Sequence, residues 1–171
     1  RLNDWSFGQL CRLAGVSKET INRLSSETAS RALRETLPRS DKPLQLLTTD
    51  DTIRSVHGVA YTRLWNNELL NVVREFATDF QPPQTAFDGV STGLYCGEQD
   101  LFCFLIDPAG WTEINGQAFA PGFFVWNSEV GRRSLGIQTF WFQAVCRNHI
   151  VWDAVEVTGF TRKHTANGKD G

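Results

Sequence analysis

Apolar residues recur three and four positions apart through residues 6–37, a spacing that predicts helices with one buried face. The pattern is interrupted at Val16, and Ser17 fits the N-cap of a further helix. Pro38 ends it, because the residue before a proline disfavours helical geometry. We therefore expect a helical N-terminal segment over residues 1–40.

Residues 41–160 combine one helical pattern with many short strand patterns. Apolar positions at helical spacing follow Asn66 or Asn67, which cap a central helix that runs through Phe76. Later runs alternate with turn signals such as Asn115-Gly116, which favour antiparallel hairpins. The predicted strands are Leu44–Thr49, Thr52–Val56, Leu94–Cys96, Leu101–Ile106, Thr112–Ile114, Gln117–Phe119, Phe123–Asn127, Leu135–Val145 and Ile150–Val157. Helices first and strands later predict an α+β fold with a largely antiparallel sheet, followed by a polar tail over 161–171.

The composition shows a nearly neutral chain that is rich in aromatic residues. The chain is 41% hydrophobic and 21% charged, as in ordinary globular domains, but 12% aromatic. Its net charge of −2, from 17 basic and 19 acidic residues, argues against a surface covered with phosphate-neutralising charge. A local basic patch remains compatible with that total.

The four cysteines follow no disulfide-framework spacing, and we expect reduced thiols. No apolar run approaches the length of a membrane span. We expect a soluble cytoplasmic protein with no membrane contact. The absence of methionine, including at the first position, predicts a processed, trimmed or interior fragment.

Residues 7–24 fit a helix-turn-helix motif. Gly15 stands at the tight turn, with the small Cys11 four residues before it and apolar residues where two helices would touch. The stretch Leu13–Ser17 resembles the matching part of bacterial repressors. In that interpretation the recognition helix offers donors to phosphates and base edges, chiefly from Lys18, Asn22 and Arg23. A helical corner packed on the sheet would give the same pattern without DNA.

Two segments, Gly122–Leu135 and Phe140–Val151, carry a resemblance to a known family. Their most specific elements are Asn127-Ser128-Glu129-Val130-Gly131 and Cys146-Arg147-Asn148. Together they resemble the DUF932-type proteins of phages, plasmids and prophages, a family of unknown function. The likeness extends over Thr52–Leu70 and Phe7–Pro38, and so over most of the chain. It implies a setting among mobile genetic elements and does not imply a reaction.

Arginines beside the family-like turn suggest a second way to bind nucleic acid. Single strands are held by a positive groove together with aromatic faces on which bases stack. Tyr61 and Trp65 are candidate stacking residues. The further candidate residues are Arg132, Arg133, Arg147, Arg54, Arg63 and Trp126. A solvated turn beside an aromatic core is the alternative interpretation.

Signals for chemistry are weaker. Cys146 and His149 suggest a nucleophile and its base, with Asp153 as orienting group, but residues three apart on a strand point to opposite faces. A zinc site would draw on Cys96, Cys103, Cys146 and His149, but these residues lack the usual paired ligand spacing. We find no cofactor motif and expect none.

The sequence therefore predicts a non-enzymatic, DNA-handling protein of a mobile element that binds single- or double-stranded DNA. A protein-interaction or assembly module without nucleic acid is the main alternative, and a Cys/His enzyme is the lesser one. A homo-oligomer is left open.

Overall fold

The computed structural model of this chain describes residues 1–80, 93–107, 109, 110, 112–143 and 159–164. Helices come first and antiparallel strands follow, so the predicted α+β class is confirmed. The chain divides into two compact units, an N-terminal unit, Arg1–Thr62, and a C-terminal unit, Arg63–Gly171. The first β-hairpin thus belongs with the helices, and the division falls after it instead of near residue 40.

The N-terminal unit opens with three helices, α1 Asp4–Ala14, α2 Lys18–Ile21 and α3 Ser26–Thr36. α1 ends at Gly15, whose φ of 68° is left-handed and favours glycine. Ser17 caps α2 as predicted, and its hydroxyl accepts the Thr20 N–H at 3.2 Å. Cys11, Ile21 and Leu33, one from each helix, form the buried core between them.

A two-stranded sheet completes this unit, with β1 at Leu44–Thr49 and β2 at Thr52–Gly58. Both strands lie where the sequence predicts them. The Ser6 hydroxyl on α1 donates to the Ile53 carbonyl at 2.7 Å. The Gln9 side-chain oxygen, one turn later, accepts the Val56 N–H at 2.9 Å. These bonds join α1 to β2 and explain why helices and hairpin form one unit.

The C-terminal unit begins with helix α4, Asn66–Phe76. Its N-cap is Trp65, one residue before the predicted asparagines. The described strands after it are β3 Leu94–Cys96, β4 Leu101–Ile106, β5 Thr112–Ile114, β6 Gln117–Asn127, β7 Leu135–Gln143 and β8 Gly159–Arg162. They form one six-stranded antiparallel sheet in the order β3-β4-β6-β7-β8, with β5 paired to the start of β6.

α4 packs on one face of this sheet. Leu69 meets Leu101, Cys103 and Val125, which are buried on β4 and β6. Leu101 is opposite Asn127 and Cys103 is opposite Val125, so these side chains share the face toward the helix. Burial of this cluster supplies one core of the unit, and Ile106, Ala120 and Phe140 form a second one.

β6 is one long strand where the sequence suggests two. Its first residues pair with β5 and its last six with β4, and Pro121 lies between those stretches. The Pro121 carbonyl accepts the Asp107 N–H at 2.9 Å, so the missing proline N–H also faces the β4 side. That side of the ladder is interrupted there, and the strand continues past the proline.

The structure describes only part of the region that carries the last predicted strands. β7 is described as far as Gln143, and the predicted strand Ile150–Val157 lies outside the described residues. β8 pairs with the start of β7, from Leu135 opposite Arg162 to Gln138 opposite Gly159. The predicted tail over 161–171 therefore begins inside a strand.

Candidate functional site

The helix-turn-helix segment does not contain the predicted recognition helix. α2 is one turn, and it ends at Ile21 with Asn22 as its C-cap. Arg23 is exposed beyond that end. The Lys18 ammonium is bound by Asp4 at 2.6 Å. A single turn is too short to lie along a groove, so the residues Lys18–Arg23 do not form a groove-reading helix.

Arg54, another predicted contact, belongs to the N-terminal unit and is half-buried on β2. Next to that strand, α1 and the hairpin enclose a cleft of about 390 Å³. His57 lines the cleft and stacks on Tyr61, with ring centroids 3.8 Å apart. The cleft is also lined by Gln9, Arg12, Leu13, Leu44, Val56 and Gly58.

In the C-terminal unit, the predicted arginines meet a buried carboxylate that the sequence does not single out as their partner. Asp100 is 7% exposed in the turn between β3 and β4. One of its oxygens accepts from Arg132 at 2.8 Å, and the other lies 3.3 Å from Arg133 Nε in an ion pair. Two guanidinium groups and one carboxylate leave a cluster of net charge +1. Both arginine side chains stay nearly half exposed.

The turn Asn127–Gly131, which precedes these arginines, is a structural clamp. The buried Asn127 side chain donates to the Leu64 carbonyl and to the Asn66 side chain, each at 2.9 Å. The Glu129 carboxylate accepts the Asn66 N–H at 2.8 Å at the start of α4. Gly131 has a φ of 73°, a left-handed geometry that favours glycine.

Ser128 and Arg63 complete the clamp. The Ser128 hydroxyl donates to the Gln99 carbonyl at 2.5 Å and accepts the Arg132 N–H at 3.0 Å. Arg63 donates to the Glu129 carbonyl at 3.0 Å and lies over the Trp65 ring. The turn thus joins the start of α4 to the β3–β4 turn, and it places Arg132 and Arg133 beside Asp100.

The opposite face of the sheet carries a row of aromatic side chains. β4 and β6 place Phe102 opposite Trp126 and Phe104 opposite Phe124, and β3 places Tyr95 opposite Phe102. Opposed residues share a face, and this face is the one turned away from α4. We call Tyr95, Phe102, Phe104, Phe124 and Trp126 the aromatic face. No helix in the described part of the C-terminal unit packs against it.

The rings of the aromatic face are in mutual contact. Phe104 and Phe124 stack with centroids 4.2 Å apart, and Phe102 stacks on Phe124 at 5.7 Å. Trp126 lies 5.3 Å from Phe124, and Tyr95 lies 6.0 Å from Phe102. Tyr95 is 59% exposed, and the other four rings are half-buried. The row therefore has accessible surface at its Tyr95 end, whereas Phe104 and Phe124 pack against a buried cluster of Ile106, Ala120 and Phe140.

Glycine allows the indole of Trp126 to lie flat on the sheet. Gly136 is the residue opposite Trp126 on β7. A Cβ at Gly136 would collide with atoms of the indole ring. The indole therefore covers the backbone of β7, and this is a close approach that only glycine permits.

The arginine cluster and the aromatic face meet at Phe102. The Arg133 guanidinium lies over that ring, 5.6 Å from its centroid, while Asp100 holds its Nε. The carboxylate thereby fixes a cation at the edge of an aromatic surface. Trp126, which the sequence predicts as a contact, belongs to the same surface.

The described cysteines differ in exposure. Cys96 is exposed, whereas Cys11 and Cys103 are buried. Burial raises the pKa of the Cys103 thiol, because an apolar surrounding disfavours the thiolate. Burial also raises the pKa of Cys11, partly offset by the nearby Lys18. Neither buried thiol has the character of a nucleophile.

The remaining predicted residues lie outside the described part of the chain. These are Arg147, and with it Cys146, His149 and Asp153 of the catalytic alternative. Among the described residues, no group of three or more His, Cys, Asp or Glu side chains is placed to hold a metal ion. No helix of the described part is both long and apolar enough to cross a membrane.

Comparison with known proteins adds no assignment. No family model, no curated protein and no solved structure matches the chain.

The aromatic face is the feature that the sequence analysis missed. Its signal was present as alternation, because Phe102 and Phe104 on one strand and Phe124 and Trp126 on another are each two residues apart. The other positions of both strands are apolar as well, so periodicity alone did not show which face the helix covers.

Proposed function

We propose that this chain binds single-stranded nucleic acid on the aromatic face of its C-terminal unit. The observation that carries the proposal is the row of contacting rings on the face turned away from α4, with the Arg133 guanidinium over Phe102. Bases of any sequence stack on such rings, and arginine adds cation–π and phosphate contacts. The mobile-element setting rests on the family resemblance, and DNA in that setting is the proposed ligand.

Several features favour a single strand over a duplex. Duplex readers place a helix or a two-stranded ribbon in a groove, and α2 is too short for that use. Stacking requires unpaired bases, which only a single strand presents. The +1 charge of the arginine cluster is small, so ring stacking and not charge is expected to supply most of the affinity.

The test is a fluorescence anisotropy titration of the full chain with labelled single- and double-stranded oligonucleotides. Their length is about 20 nucleotides, which exceeds the site size of about 4–16 nucleotides for one single-strand-binding domain. We expect tighter binding of the single strand at low salt. Tyr95→Ala should weaken it roughly 5- to 150-fold, since each stacked base contributes about 1–3 kcal/mol. Phe76→Ala is the matched control, because Phe76 is an aromatic residue of α4 that is 82% exposed.

Two results would contradict the proposal. One is the absence of binding to either oligonucleotide at low salt. The other is an equal loss of affinity in Tyr95→Ala and Phe76→Ala, which would show that the aromatic face is not specifically involved.

A protein-interaction surface is the second candidate, and one observation favours it. Residues 63–171 contain eight basic and twelve acidic residues, a formal charge of −4 that opposes phosphate. A half-buried aromatic row with one exposed end, on an acidic unit, also suits an apolar protein partner. Failure of both oligonucleotides to bind would favour this candidate.

A further inference from the structure

The outer edge of β1 is an open strand edge in the N-terminal unit. β1 pairs with β2 on one side, and α1 packs behind β2 through Ser6 and Gln9. Within residues 1–62, all of which the structure describes, no strand pairs with the other side of β1. Its outward N–H and C=O groups are therefore available to a further strand.

This edge lacks the features that usually protect strand edges. Residues 43–49 carry no charge, and proline occurs only before the strand, at Pro43. The irregularity of the hairpin lies on β2, where Arg54 is skipped in the pairing, so β1 itself is continuous. Leu44 and Leu46 share a face of β1 and are 49% and 53% exposed. A regular, apolar, uncharged edge favours strand addition.

Opposite charges flank the strand. Lys42 precedes β1 and Asp50 follows it, and both are exposed. Neither side chain makes an ion pair within the fully described residues 1–62, whereas the neighbouring Asp51 is bound by Arg1 at 3.5 Å. A lysine and an aspartate without ion pairs in residues 1–62 thus stand at opposite ends of the strand. An antiparallel copy of the same strand would place each charge near its opposite.

We propose that β1 pairs antiparallel with β1 of a second copy of this chain, about a two-fold axis through Leu46. Directly opposed residues share a face, so a symmetric antiparallel pair must place one residue opposite itself. With Leu46 at the centre, Leu44 of each copy lies opposite Thr48 of the other, because each stands two positions from Leu46. Lys42 and Asp50 lie just beyond opposite ends of β1, so the Lys42 end of one copy approaches the Asp50 end of the other. The two hairpins then form one four-stranded sheet, with leucines together at the axis.

The expected association is weak. A six-residue strand and its side chains bury less than the roughly 1,200 Å² of a stable interface. The dimer should therefore depend on protein concentration, and its ion pairs should make it sensitive to salt.

The first test is sedimentation velocity of the full chain over a range of concentrations. We expect a reversible monomer–dimer equilibrium that Leu46→Lys weakens at least tenfold, since a lysine on an edge opposes pairing. Val59→Lys is the matched control, because Val59 is 65% exposed and lies outside β1. A monomer at every concentration overturns the proposal, and so does an equal effect of the two lysine variants.

The second test measures the register by disulfide formation in a Cys96→Ser/Cys146→Ser background, which removes the exposed thiol of the described residues and the one thiol outside them. A disulfide needs Cβ atoms about 4 Å apart, and opposed residues come within about 5 Å. Leu46→Cys should therefore cross-link to its own copy. Thr48→Cys should not cross-link, because Thr48 lies opposite Leu44 of the other copy. The two Thr48 positions are then four residues apart along the strands, which is about 13 Å. Equal cross-linking of both variants contradicts the proposed register.

Discussion

The two units of the molecule hold their basic side chains in different ways. The N-terminal unit has nine basic and seven acidic residues, a formal charge of +2. Several of its basic residues make no ion pair, namely Arg12, Arg23, Arg34, Arg39 and Lys42. In the C-terminal unit, of formal charge −4, Arg132 and Arg133 are bound by a buried aspartate. Among the described residues, most basic side chains of the N-terminal unit lack an ion pair, whereas the C-terminal unit holds two arginines on one buried carboxylate.

A count of charges does not distinguish a cation that attracts phosphate at long range from a cation that is held in a fixed position. Unpaired surface arginines attract phosphate at long range, but they do not fix where a ligand lies. A guanidinium held by a carboxylate against a ring loses net charge and gains a defined position. A binding site needs the second property, which is why we place the candidate site in the more acidic unit.

The largest expected effect is on stability, and it compares the two cores. Leu101→Ala in the C-terminal unit should lower the free energy of unfolding by about 3–5 kcal/mol, since Leu101 is fully buried between sheet and helix. Leu33→Ala in the N-terminal unit should cost about 2–3 kcal/mol, because that smaller core can collapse around the cavity. Calorimetry of both variants measures these losses. Equal losses on one shared transition would contradict two separately packed cores.

The next effect compares a buried ion pair with an exposed one. Asp100→Asn keeps the side-chain volume and removes the charge that two arginines share, so it should cost about 1.5–3 kcal/mol. Asp4→Asn removes the exposed partner of Lys18 and should cost less than about 1 kcal/mol. Urea unfolding gives both values. A smaller cost for Asp100→Asn than for Asp4→Asn would show that burial does not strengthen the first pair.

The smallest effect concerns thiol reactivity in the two units. Cys96 should react quickly with an aromatic disulfide reagent at pH 8, whereas Cys103 and Cys11 should react slowly. Their burial raises the pKa of each, so less thiolate is present. Because the folded pKa exceeds the unfolded one, these thiols also lower stability as the pH rises past about 8.5. Cys96→Ser is the control, and loss of the fast phase in that variant assigns it.

Much of the fold could be predicted because its signals are local. Asn115-Gly116 defines one hairpin, the helical spacing behind Trp65 defines α4, and Ser17 caps α2 as expected. The merging of two predicted strands into β6 was not predictable in the same way. It depends on the tertiary pairing, because β6 pairs with β5 before Pro121 and with β4 after it.

The candidate site was only partly predictable for a similar reason. Arg133 and Trp126 were identified, but their surroundings come from distant parts of the chain. Asp100 is 32 residues from Arg132 in the sequence. The β3–β4 turn brings its carboxylate to Arg132 and Arg133. The helix-turn-helix prediction failed in another way. The sequence fits the motif, but α2 is too short to be the recognition helix expected to carry Lys18, Asn22 and Arg23.

The clamp at Asn127–Gly131 affects how sequence similarity to this chain should be interpreted. Its polar side chains satisfy backbone groups of α4 and of the β3–β4 turn, so the demand for them arises inside the fold. Proteins that share this segment would share a skeleton, while the rings on the far side of the sheet could vary independently. The polar residues of this segment therefore serve the fold, and the proposed binding surface lies on the opposite side of the sheet.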